Sequence, residues 1–76
     1  MSSPKQGKRE REAARNLAHQ RWALAHDAKS DAAARLARIM ADPESTPADI
    51  AEATEALSRA TSLYREAEAA ARAANY

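Results

Sequence analysis

Between Ile50 and Ala74, apolar side chains return every three or four residues without a break. Ile50, Leu57, Tyr64 and Ala71 repeat at intervals of seven, and Ala53, Ala60, Ala67 and Ala74 repeat at the same interval between them. On a helix this alternation draws one continuous stripe along a single face. In heptad terms the first set fills a and the second fills d, so every d position is alanine. A methyl group holds two helix axes apart less than leucine does, so the stripe predicts a helix with a close neighbour.

The neighbour is sought in the first half of the chain. From Lys8 to Ala41 there is neither proline nor glycine, and strong helix formers dominate. The pattern predicts a helix over 8–41, spanning ~50 Å at the rise of an α-helix. Asp42-Pro43-Glu44-Ser45-Thr46-Pro47 then breaks it. Pro43 disfavours helix at Asp42. Thr46 is placed to cap a new helix, Pro47 sits where a missing N–H is harmless, and Asp49 completes an acidic capping box. The second helix is expected over 47–74, after a turn at 42–46. So short a connection makes the two helices antiparallel neighbours. Residues 1–7 are polar with Pro4 and Gly7, and are expected to be a disordered tail on a single domain of residues 8–76.

On the first helix, a matching line runs through Ala14, Ala18, Arg21, Ala25, Ala28, Ala32, Arg35 and Ile39. It is mostly alanine, interrupted by two arginines. Their stems are expected to cover the seam while their heads reach Glu52, Glu55, Glu66 or Glu68. Leu17 and Leu24 flank this line on one side; Trp22, Leu36 and Met40 flank it on the other. A face this broad exceeds what one partner helix covers. The expected fold is therefore all-α: an antiparallel hairpin of two long alanine-rich helices, dimerising into a four-helix bundle.

Composition supports a second copy. The chain has 76 residues and no cysteine. Alanine supplies 22 of them, leaving five Leu, two Ile, two Met, one Trp and two Tyr as bulky apolar side chains. That is little to offset an ordering cost of ~1.5 kcal/mol per residue, and oligomerisation is the natural remedy. No run approaches the ~20 apolar residues of a membrane span, and no apolar segment follows the N-terminal lysines, so a cytoplasmic protein is expected. Net charge is +1, but residues 1–41 carry +5 and residues 42–76 carry −4. Opposite charges favour pairing of the two halves, or leave the first half facing an acidic partner.

The chemistry with most content is a second stripe on the first helix. Lys8, Arg11, Arg15, His19, Trp22, His26 and Lys29 follow the three-four spacing and share one face. A basic row containing an aromatic suits a phosphate backbone with a stacked base, or an acidic protein surface. The competing expectation is that Trp22 packs with Leu36 and Met40 while the cations stay solvated. Glu10 and Glu12, interleaved with Arg9, Arg11 and Arg15, repel phosphates. The Asn-x-x-Ala-Ala core of basic leucine-zipper regions is absent around Asn16, and no leucine heptads follow. His19 and His26 lie ~10 Å apart along one helix, too far to share a metal there.

No Ser/His/Asp grouping has helix-compatible proximity, no glycine loop is present to cradle phosphates, and no Glu-x-x-His motif appears. Neither enzymatic activity nor a cofactor is expected. The expectation is a small homodimeric interaction protein that binds a partner protein through the basic and aromatic face. Nucleic-acid binding by the same stripe and a pure scaffold role are the alternatives. The composition resembles that of small phage and plasmid accessory proteins; plasmid-encoded RNA-modulating hairpin dimers show that such a shape can grip RNA, though no motif of theirs is present.

The seam carries a test. Ala60→Leu should overpack it and cost ~1–3 kcal/mol in thermal or urea unfolding. An unchanged melting temperature would mean that the d positions face no close neighbour.

Overall fold

Two prolines and one acidic capping box decide where this chain turns. In the computed structural model, which describes residues 4–74, the helices are α1 (Pro4–Ala41) and α2 (Pro47–Ala74). The Asp42 N–H donates to the Ile39 carbonyl at 3.2 Å, closing the end of α1. The Ser45 N–H donates to the Asp42 carbonyl at 3.1 Å, and the Glu44 N–H donates to Asp42 Oδ1 at 2.9 Å. This side-chain turn reverses the chain within a few residues. At the start of α2 the Asp49 N–H donates to Thr46 Oγ1, and the Thr46 N–H donates to Asp49 Oδ2, both at 3.1 Å. Two N–H groups that the helix cannot pair internally are thereby satisfied reciprocally.

The bounds of α2 and the end of α1 coincide with the expectation. The start of α1 does not. Residues 4–7, expected to belong to the tail, lie within the helix. Proline is tolerated in a first turn because its missing N–H has no helical partner. Gly7 costs about 1 kcal/mol relative to alanine, which does not stop a run of helix formers behind it. Residues 1–3 of the expected tail, and residues 75 and 76, lie outside the described residues. The helix continues unbroken through Ser30 and Asp31.

The two helices pack lengthwise into an antiparallel hairpin, 63 Å long and 16 by 13 Å across. Trp22 meets Tyr64, and Arg35 meets Glu52. Each residue gained along α1 is therefore one residue lost along α2. On α2 the packed positions are those of the alanine stripe: Ile50, Ala53, Leu57, Ala60, Tyr64, Ala67, Ala71 and Ala74 are all buried or half-buried. Ala53 is 1 % exposed and Ala71 7 %. They are the fully covered hydrophobic residues among those described, because a two-helix hairpin has no third layer.

The seam of α1 departs from the expected line. Ala18, Ala25, Ala32 and Ile39 are half-buried as expected, but the positions between them are Trp22, Lys29 and Leu36 rather than Arg21, Ala28 and Arg35. Ala14, Arg21, Ala28 and Arg35 are exposed. The two lines share every second member and differ by one residue at the others, a rotation of α1 by part of a turn. Covering Trp22 and Leu36 removes more apolar area from water than covering Ala28. The same rotation leaves both guanidinium groups in solvent. Of the two arginines expected to reach α2, Arg35 does so, at 3.4 Å from Glu52. Glu55 and Glu68 instead pair within α2, with Arg59 at 3.7 Å and Arg72 at 2.7 Å.

No helix is long and apolar enough to cross a membrane, among the described residues. Removing the capping hydroxyl with Thr46→Ala should cost about 1 kcal/mol in chemical denaturation. A variant as stable as the parent would show that the start of α2 draws its stability from elsewhere.

Candidate functional site

The seven residues of the basic stripe lie on one helical line but in three settings. Ala74, where α2 ends, is level with about Ala13 of α1, as the Trp22–Tyr64 and Arg35–Glu52 contacts require. Lys8 and Arg11 therefore stand on a length of α1 that extends past the end of α2, exposed. Arg15 and His19 are exposed beside the last turns of α2. Trp22 and Lys29 are half-buried in the seam, with His26 exposed at its edge.

Around Trp22 the two helices bring three rings together. The Trp22 and His26 centroids are 6.0 Å apart, Trp22 and Tyr64 6.4 Å, and His26 and Tyr64 6.0 Å, all mutually tilted. Lys29 Nζ lies 4.6 Å from the Tyr64 centroid. The cause is local. Trp22, His26 and Lys29 are spaced four and three apart on α1, and the antiparallel register sets Tyr64 against them. Tilted rings at these separations are attractive beyond the area they bury, and a cation over the Tyr64 face adds about 0.5–1 kcal/mol at a solvated site. His26 Nδ1 is also 3.6 Å from Asp27 Oδ1.

Trp22 packs against His26 and Tyr64 rather than with the residues the competing expectation named, although Leu36 shares its seam about four turns away. Met40 does not: it is 64 % exposed. Packing leaves part of the indole accessible. An open pocket of about 320 Å³ is lined by His19, Trp22, Tyr64, Glu68, Ala71 and Arg72. Its wall is aromatic, its floor a methyl group, and its rim carries the Arg72–Glu68 ion pair. Such a cup accepts a flat or apolar group with a polar flank. Tyr64, Glu68 and Arg72 were not assigned to this site from the sequence. The signal was present in the register: a short turn fixes which residues of α2 stand level with Trp22.

The other side of the hairpin is different in kind. A larger groove of about 550 Å³ is lined by Ala14, Leu17, Ala18, Arg21, Ala25, Leu63, Glu66, Ala67 and Ala70. Leu17, Leu24 and Leu63, exposed by 47, 69 and 60 %, project on this side. The seam separates the two faces: Leu17 precedes Ala18, and His19 follows it.

Among the described residues there is no cluster of three or more His, Cys, Asp or Glu placed to hold a metal ion. No buried side-chain nitrogen or oxygen lacks a partner among them. Comparison with protein-family models, curated proteins and solved structures gives no match to this chain.

Tyr64→Ala should cost about 1–2 kcal/mol, since it removes a half-buried ring and its contacts. It should also shift the Trp22 fluorescence to longer wavelength. Emission unchanged from the parent would mean that the rings do not meet in solution.

Proposed function

We propose that the chain is a non-enzymatic cytoplasmic interaction protein, a homodimer that binds a partner protein through the basic and aromatic face of α1. The observation that carries this reading is the half-open aromatic cup between Trp22 and Tyr64, continuous with exposed cations. Arg15 and His19 lead from the cup to Lys8 and Arg11 on the part of α1 that outruns α2. An aromatic anchor site beside a row of positive charge suits a partner segment that presents one apolar side chain followed by carboxylates. Burial of the anchor gives affinity, and the charges steer the approach. Lys8, Arg11 and Arg15 are exposed and form no ion pair among the described residues.

Nucleic acid is the second reading, favoured by the exposed Lys8, Arg11 and Arg15 on one line. Two features weigh against it. Trp22 is half-covered by Tyr64, which leaves less of its face for a stacked base, and Glu10 and Glu12 stand among the cations. In a pure scaffold, the third reading, the cup would have no ligand.

Capture of binding proteins from a host extract with the parent chain, and with Arg15→Gln/His19→Gln, separates the three. The partner-protein reading requires a protein retained by the parent and lost, or weakened by about tenfold, with the variant. A parallel titration with duplex DNA and hairpin RNA at ~50 and ~200 mM salt should show no binding; association that weakens steeply with salt would favour nucleic acid instead. If neither protein nor nucleic acid is retained, the scaffold reading stands and the proposed one fails.

A further inference from the structure

The dimer in that proposal has a specific geometry, and the inference rests on that reading. We infer that two copies pack through the leucine-bearing groove face, opposite the Trp22 cup, about a two-fold axis parallel to the hairpin, so that both turns lie at the same end. The first ground is the face itself. Leu17, Leu24 and Leu63 are the most exposed leucines of the chain and all lie on this side. A face the length of α2, ~42 Å, and two helices wide, ~20 Å, offers roughly 800 Å². That is the area each partner contributes to a standard specific interface.

The second ground is charge, and it selects the orientation. Two hairpins laid face to face with their turns at opposite ends bring α1 onto α1 and α2 onto α2. That sets the basic half against the basic half and the acidic against the acidic. A two-fold axis along the hairpin instead brings each α1 onto the other copy's α2. Symmetry then fixes the register, because rotation about that axis leaves every residue at its own height. Arg35 is level with Glu52 within one chain, so Arg21 is level with about Glu66, and Leu24 with Leu63. In the dimer, Arg21 of one copy therefore stands over Glu66 of the other, and Leu24 over Leu63, each contact occurring twice. Arg21 and Glu66 line the same groove without an ion pair among the described residues. Like charges facing across an interface oppose wrong pairings more than correct pairs add affinity, so the pattern works mainly as an orientation device.

The chain has no cysteine, so a single Glu44→Cys places one spin label on each turn. Sedimentation of the labelled chain should show a dimer, and pulsed electron resonance a label separation below about 30 Å, as helices packed 8–10 Å apart require. Turns at opposite ends would instead stand about 40 Å or more apart, the length of α2. The face is tested by charge exchange at exposed positions that leave the seam alone. Arg21→Glu and Glu66→Arg should each raise the dimer dissociation constant by about tenfold or more. An equimolar mixture of the two single variants should recover the parent's affinity as a heterodimer, because both contacts become opposite in sign only across chains. A monomer at all concentrations sinks the homodimer reading itself. A dimer with widely separated labels sinks the orientation alone, and one with near labels but no recovery in the mixture sinks the face.

Discussion

The structure depends on how closely two helices can approach when alanine lines the contact. Ala53, Ala60 and Ala67 on α2 lie across from Ala18, Ala25 and Ala32 on α1, and none of these side chains extends beyond one carbon. Close approach compensates for their small size, because more backbone surface comes into contact. Alanine also loses no rotamer freedom on ordering. The residues that project past this seam set everything else: Trp22 and Tyr64 fill one side of it, while Leu17, Leu24 and Leu63 are left uncovered on the other.

Much of this was legible in the residues. The stripe of α2 could be read directly, because Ile50, Leu57 and Tyr64 make it bulkier than the neighbouring line of Ala56, Leu63 and Ala70. The turn was equally plain, since Thr46, Pro47 and Asp49 each have a physical role that few other residue types fill. The seam of α1 was harder. Alanines at 14, 18, 25, 28 and 32 satisfy a three-four line that leans to one side, and alanine periodicity alone does not say which rotation is chosen. The bulky pair Trp22 and Leu36 decides it, at the cost of placing Lys29 among the packed positions. Lys29 is accommodated because its stem lies along the seam and its ammonium ends over Tyr64.

That rotation also explains why the candidate site could be read only in part. A helical line lists residues that share a face; it does not say how far the partner helix extends or what it presents. Lys8 and Arg11 stand clear of α2 because α2 is ten residues shorter, whereas Trp22 and Lys29 are partly enclosed by it. Tyr64, Glu68 and Arg72 enter the cup from α2, whereas the basic and aromatic stripe read from the sequence lies wholly on α1. The antiparallel register joins these contributions, and it is a property of the turn rather than of either helix.

The thinness of the covered layer has a thermodynamic consequence. With Ala53 and Ala71 as the fully covered hydrophobic residues among those described, unfolding one hairpin exposes less new apolar surface than unfolding a globular domain of the same length. The heat-capacity change of unfolding scales with newly exposed apolar area, so it is small for its chain length. The stability curve of a single hairpin is then shallow and weakly bent, with little tendency to cold denaturation and a low sensitivity to urea.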